Sequence, residues 1–273
     1  MPGFARPELL ADTAWLAGRL DDPGLRIVDC DEPDGYRRAH IPGAVALSVH
    51  HYLKETEDDP HIMRPEKFSA LMSRLGIDAA TEVITYDTYG GLYAARLWWA
   101  LGYYGHDRCR VLDGGWNEWF REGRAAVRTP RIPEPKTFTA RPRPEWIALA
   151  DDLAAGLGRP DRRILDVRSE AEHTGKNKRG TKRGGRIPGA RHYEWLRAVT
   201  DDERMAFRDP EAVRAELAAL GLTPDHEIVT YCQRGIRAAH GFFTLRLLGF
   251  DRVRNYDASW YEWGNRLELP VEA

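Results

Sequence analysis

EVITYDTYGGLYAARLWWALGYYGHDRCRVLDGGWNEWFRE, residues 82–122, and EIVTYCQRGIRAAHGFFTLRLLGFDRVRNYDASWYEWGNR, residues 227–266, are two versions of one pattern. Upstream, Arg26-Ile-Val-Asp29 matches Arg163-Ile-Leu-Asp166, and Ile41-Pro-Gly-Ala44 matches Ile187-Pro-Gly-Ala190. A repeat spaced by about half the chain predicts two similar globular domains, because solenoid repeats have much shorter periods. Between the copies, five prolines fall from Pro130 to Pro144, which neither a helix nor a central strand accommodates. The expected organisation is a first domain at 1–127, a stiff Pro-rich linker at 128–145 and a second domain at 146–273. Each half is long enough for its own core.

Within a half, short apolar runs (Leu25 to Val28, Glu82 to Tyr86, Cys109 to Leu112) alternate with segments of helical period (Pro65 to Leu75, Leu92 to Leu101). Strands alternating with helices predict an α/β fold, each domain a mainly parallel sheet flanked by helices. Ligands of such sheets collect at the carboxyl ends of the strands. In the second copy that place is held by Cys232, at the end of Glu227-Ile-Val-Thr-Tyr-Cys-Gln-Arg-Gly-Ile-Arg237. Loop N–H groups curling around one point, followed by the open donors of a helix start, favour a thiolate there. Arg234 and Arg237 add two permanent charges, so the pattern predicts a nucleophilic cysteine facing an anionic substrate.

Composition narrows the function classes. The first thirty residues lack the order of a secretory signal, and no run approaches a membrane span, so the chain reads as soluble and cytoplasmic with no membrane partner. Cys30, Cys109 and Cys232 have no C-x-x-C spacing and suit neither a disulfide framework nor a zinc site. The first 127 residues carry 14 Lys and Arg against 20 Asp and Glu, a balance of −6, and the remainder carries 26 against 22, a balance of +4. The half with Cys232 is the basic one, which agrees with an anionic substrate but is too weak a bias for nucleic acid.

Taken together, the two Ile-Pro-Gly-Ala segments, the C-x-x-G-x-R-x-x-H loop from Cys232 to His240, and the endings Leu112-Asp-Gly-Gly-Trp-Asn-Glu-Trp119 and Tyr256-Asp-Ala-Ser-Trp-Tyr-Glu-Trp263 resemble the tandem-domain rhodanese family, the thiosulfate sulfurtransferases. The resemblance covers nearly the whole chain. It implies a catalytic second domain and a first domain that has lost its nucleophile, and Asp87 stands where Cys232 stands in the second copy. It implies sulfur transfer from thiosulfate to cyanide or a thiol through a persulfide on Cys232, with no metal or organic cofactor. The N–H groups of Gln233, Arg234, Gly235, Ile236 and Arg237 would cradle the sulfur anion. A thioredoxin-like or sulfur-carrier protein is a candidate acceptor. The resemblance also places Trp15, Leu92, Tyr93 and Trp195 on an apolar pocket wall. Where some animal members have a basic residue that helps bind thiosulfate, this chain has Glu172. The remaining cationic work is expected of Arg234, Arg237 and Arg168 or the segment from Lys176 to Arg186, six cations in eleven residues.

Three other readings compete. Cysteine phosphatases place five residues between cysteine and arginine, whereas four separate Cys232 from Arg237, a loop too tight for phosphate. A 3-mercaptopyruvate sulfurtransferase typically has a small residue and then a hydroxyl residue after the cysteine; Gln233 and Arg234 suit a dianion better. The third is a non-enzymatic module that binds a sulfur carrier or senses redox state. Cys30 and Cys109, which align with Val167 and Val253, read as apolar strand residues, and Asp87, Asp166, His40 and His240 read as structural.

Overall fold

The apolar runs that end at Asp29, Tyr86, Asp166 and Tyr231 become the central strands of two parallel sheets. The computed structural model describes residues 3–49, 53–56 and 58–273. The first sheet contains β1 (Leu10–Ala11), β2 (Leu25–Asp29), β3 (Val45–Ala46), β4 (Glu82–Tyr86) and β5 (Cys109–Leu112), in the order β1-β5-β4-β2-β3. The second contains β6 (Arg162–Asp166), β7 (Arg191–His192), β8 (Glu227–Tyr231) and β9 (Val253–Asn255), in the order β7-β6-β8-β9. Its fifth position shrinks to one parallel bridge between Ile147 and Asn255. Helices flank both sheets, giving the α/β architecture in two copies.

The shared register explains the repeated motifs. Asp29 lies opposite Tyr86, and Asp166 opposite Tyr231. The Tyr86 hydroxyl donates to Asp29 Oδ2 at 2.6 Å and accepts the Ile41 N–H at 3.3 Å. Likewise the Tyr231 hydroxyl donates to Asp166 Oδ2 at 2.7 Å and accepts the Ile187 N–H at 3.3 Å. Each Ile-Pro-Gly-Ala segment is thus latched to the strand that precedes the functional loop, and a buried donor and acceptor are satisfied together.

The helices Leu92–Tyr103 and Ile236–Leu247 start directly after these loops and pack against each other. Both are buried around most of their circumference, as core helices are. Trp98 meets Phe243 edge-on at 4.8 Å, and Trp146 lies against Trp98 and Phe242. One apolar cluster runs from Val28 through Trp99 and Phe242 to Cys232, so the two domains share a core. The proline segment is extended, and docking as well as proline holds it. Lys136 N–H donates to Ser73 O, Ala140 N–H to Ser69 Oγ and Arg141 N–H to Tyr104 O, each at 3.0 Å, while Phe138 is buried against Phe68. Among the described residues no helix is long and apolar enough to cross a membrane.

Candidate active site

β8 delivers Cys232 to the start of a short loop that turns at Gly235 into the helix Ile236–Leu247. Gly235 has φ 81°, and a Cβ there would stand 2.2 Å from Asp257 Oδ1, so both backbone and space demand glycine. The thiol-bearing residue is 2% exposed. Its N–H donates to Ser259 Oγ at 3.0 Å, and that hydroxyl lies 3.9 Å from Sγ while donating to Tyr256 O at 2.7 Å. Ser259 adopts φ 56°, a left-handed conformation costly for a residue with a side chain and typical of functional sites. Trp260 N–H and Tyr261 N–H close the back of the loop on the carbonyls of Cys232 and Gln233, each at 3.0 Å.

The cations around this thiol are held in different ways. Arg237 makes a bidentate pair with Glu172 at 2.7 and 2.8 Å. Burial opposes its charge, but Glu172 and the nearby Cys232 keep the guanidinium firmly protonated. Glu172 itself is fixed by a capping box with Ser169. Arg234 stacks its guanidinium over Tyr261, 3.9 Å from the ring centre. Gln233 Nε2 donates to Arg179 O at 3.3 Å, which ties the basic segment to the loop, and Lys176, Lys178 and Lys182 are exposed beside it. Arg183 is different: its two terminal nitrogens donate to the carbonyls of Trp263, Arg266 and Leu269.

The first domain closes the site. Lys54 Nζ donates to Arg234 O at 3.3 Å, and Lys54 is 8% exposed. Burial, then repulsion from Arg96, brings its ammonium down to about 8, against the pull of Asp257 and Cys232. Arg96 forms a buried ion pair with Asp257 and reaches Gly235 O at 3.5 Å. Asp257 also accepts the Ile62 N–H at 2.6 Å. The relation is reciprocal. His240, in the helix position corresponding to Arg96, puts Nε2 3.1 Å from Gly90 O, and Asp113, corresponding to Asp257, accepts the Phe207 N–H at 2.9 Å.

In the first copy the loop is filled. The Asp87 carboxylate accepts the N–H groups of Tyr89 and Gly91 at 2.9 Å, Tyr93 at 2.7 Å and Ala94 at 2.8 Å. Burial still lifts its carboxyl above the usual range. The loop and helix start form an anion seat, and here the side chain is the anion.

Other expected residues fall elsewhere. Arg168, anticipated as a substrate contact, is buried instead against Asp166, with Nε at 2.9 Å and Nη2 at 2.6 Å, and sits over Trp260. Its charge is committed to Asp166 at the strand end. Trp15, anticipated on the pocket wall, belongs to a separate apolar cluster with Leu16, Ile27 and Leu112, its ring covered by Arg19 at 4.4 Å and Arg110 at 5.0 Å. Leu92 and Tyr93 are half-buried against the cluster that contains Cys232, and Trp195 is part of it. His240 is a fully buried packed histidine stacked on Phe207, brought down to about 4 by burial. His40 is stacked on Tyr36 with both ring nitrogens near carbonyls. Lys54, Arg96, Asp257 and Ser259 were missed. Ser259 had a visible signal, since it replaces Gly115 of the first copy at a left-handed position. Lys54 had a fainter one, being one of only six lysines in a chain with 40 Lys and Arg.

The sequence pattern of the rhodanese-like domain matches residues 12–122 and again residues 149–266. The chain is 35% identical to the thiosulfate sulfurtransferase of Azotobacter vinelandii over 100% of both chains. It is 37% identical to the putative thiosulfate sulfurtransferase SseA of Mycobacterium tuberculosis, over 100% of this chain and 93% of that one, and 35% identical to the sulfur carrier protein TtuD of Thermus thermophilus, over 98% of each. Among solved structures, EanB in complex with ergothioneine superposes with a TM-score of 0.89 at 26% identity, covering 97% of this chain and 70% of that one. EanB with ergothioneine covalently linked to a cysteine persulfide gives 0.87 at the same identity and coverage. The repeat, the two latched loops and these likenesses agree, and the chain belongs to the rhodanese-like family, with two copies of the domain in tandem.

Proposed function

We propose that the chain is a thiosulfate sulfurtransferase carrying sulfane sulfur on Cys232. The Cys232 thiolate attacks the outer sulfur of thiosulfate. The donor's S–S bond breaks, its electron pair leaves with sulfite, and a persulfide anion remains. Cyanide or an acceptor thiol then takes the outer sulfur and returns the thiolate. One observation carries this reading: the first copy closes four N–H groups on the Asp87 carboxylate, and the loop after Cys232, one residue shorter, turns through Gly235 into the corresponding helix start, which supports a comparable seat for an anionic sulfur. Relatives named thiosulfate sulfurtransferase, and EanB linked through a persulfide, support the same chemistry. Near-complete burial of the thiol protects a persulfide from water and oxidants. The exposed lysines of the basic segment offer a rim for an acidic protein acceptor such as a thioredoxin-like or sulfur-carrier protein.

The test is peptide mass spectrometry after incubation with thiosulfate or, separately, 3-mercaptopyruvate. Thiosulfate should add about 32 Da at Cys232 and nothing at Cys30 or Cys109. Labelling by 3-mercaptopyruvate alone would move the assignment to the sister donor, and labelling by neither would leave a binding module.

A further inference from the structure

The two domains cover each other's loops with matching hairpins, and the hairpins differ at one chemically decisive position. Over the loop of Cys232 lies a bridge between Lys54 and Ile62, with Met63 N–H donating to Leu53 O. Over the loop of Asp87 lies a bridge between Val199 and Phe207, with Arg208 N–H donating to Ala198 O. The pattern of bonds pairs Lys54 with Val199. The hairpin facing the filled anion seat carries an apolar residue, and the hairpin facing the thiol carries a buried cation.

A buried ammonium is costly unless something negative meets it. Asp257, whose charge reaches Lys54, is already held by Arg96 and by the Ile62 N–H. Of the loop cations, Arg237 is matched by Glu172 and Arg234 is stacked on Tyr261. Among the described residues no carboxylate stands within ion-pair distance of Lys54 at the loop; Asp59, which feels its charge, is bonded to His61, and the electrostatic partners of Lys54 include Cys232. We propose that Lys54, supplied by the first domain, is a specificity-determining residue that binds the anionic end of the sulfur donor at Cys232 and favours anionic over uncharged reagents there. In the thiosulfate reaction, on which this reading rests for its natural ligand, the ammonium meets the sulfonate in the ground state and holds the sulfite as the S–S bond breaks. No proton transfer is required, because thiolate and thiosulfate give persulfide anion and sulfite with the same total charge.

Two measurements on the full chain test this. The first compares inactivation of Cys232 by iodoacetate, an anion, with inactivation by neutral iodoacetamide, in wild type and in Lys54→Met. The ratio of the two rates should fall about threefold or more in the variant, with the iodoacetamide rate little changed. The second is steady-state kinetics with thiosulfate, where Lys54→Met should raise KM about tenfold and leave kcat within about threefold. Lys54→Arg should restore the alkylation ratio and most of the KM. Lys54→Gln serves in place of the methionine variant if that protein does not fold. An unchanged ratio and KM in the neutral variants, or an arginine variant as impaired as the neutral one, overturns the proposal. If wild type takes no sulfur from thiosulfate, the donor reading fails, and the alkylation ratio still decides the role of Lys54.

Discussion

The loop after β4 and the loop after β8 begin from the same strand, share one tyrosine–aspartate latch and are braced from the opposite domain, yet one is occupied by its own carboxylate and the other presents a thiol. The second loop is one residue shorter, and three of the exchanges around the two loops stand out. Asp87 stands for Cys232, Asp31 for Arg168 and, on the covering hairpins, Val199 for Lys54. The middle exchange reverses the electrostatics beneath the loops. In the first domain, burial lifts Asp29 to about 6, and burial with repulsion from Asp87 and Asp29 lifts Asp31 to about 7. In the second, burial of Asp166 is overcome by hydrogen bonds from His173, Arg168 and Tyr231, which hold its carboxyl well below the usual range. A shared fold therefore rests on a proton-hungry acidic cluster in one half and a satisfied ion pair in the other.

The largest effect should come from replacing the thiol, which the first loop lacks. Cys232→Ser should lower turnover at least about a thousandfold, because oxygen cannot carry sulfane sulfur. Circular dichroism should match wild type, and residual sulfur transfer near the wild-type rate would show that the difference between the loops has been misread. Next comes the brace between the domains. Arg96→Met leaves Asp257 buried without its cation and should cost about 3–5 kcal/mol in urea unfolding; a cost below about 1 kcal/mol would mean that the shared core holds the Cys232 loop without this pair.

Smaller effects follow from the titrating groups. Lys54 at about 8 lies below the ordinary lysine value of 10.5, so folding opposes its protonation. The penalty is fully present below about pH 8, shrinks as pH rises and vanishes above about 10.5, so Lys54→Met should stabilise the chain by up to roughly 3 kcal/mol at pH 7 and by little at pH 10.5. Equal stability of the two proteins at pH 7 would remove the claim that this position is held against the fold. Asp31 behaves oppositely. With its carboxyl raised to about 7, its contribution is most favourable below about pH 4 and is lost as pH rises through 7. Asp31→Asn keeps an oxygen for the Thr88 N–H and hydroxyl, and should gain about 1–2 kcal/mol at pH 8 and almost nothing at pH 4. A gain of the same size at both pH values would place its origin in packing and not in charge.

Much of the architecture was legible because a repeat supplies its own comparison. The runs ending at Asp29, Tyr86, Asp166 and Tyr231 could be read as strands, and the loop of Cys232 could be read against its filled counterpart at Asp87. The failures came where a side chain's meaning depends on what lies across the domain interface. Nothing local distinguishes Lys54 from a surface lysine or shows that Arg96 reaches Asp257, since these contacts join residues separated by more than 150 positions. Arg168 misled in the opposite direction. An arginine two residues beyond a strand end reads as an open cation, but its planar fork fits the carboxylate of Asp166 just behind it. Trp15 was carried by likeness alone, and the cluster around Arg19 and Arg110 claims it.

The reciprocal brace has a consequence for how such a chain can change over time. Two identical subunits related by a twofold axis must carry the same residue at both equivalent positions, so a lysine useful over one loop would also be buried over the other. Joining the halves in one chain lifts that obligation. One hairpin is then free to keep Val199 and the other to keep Lys54, and the cost of a buried charge is borne once per molecule. Covalent linkage here lets a symmetric contact divide its labour, with a single thiol site built from both sides.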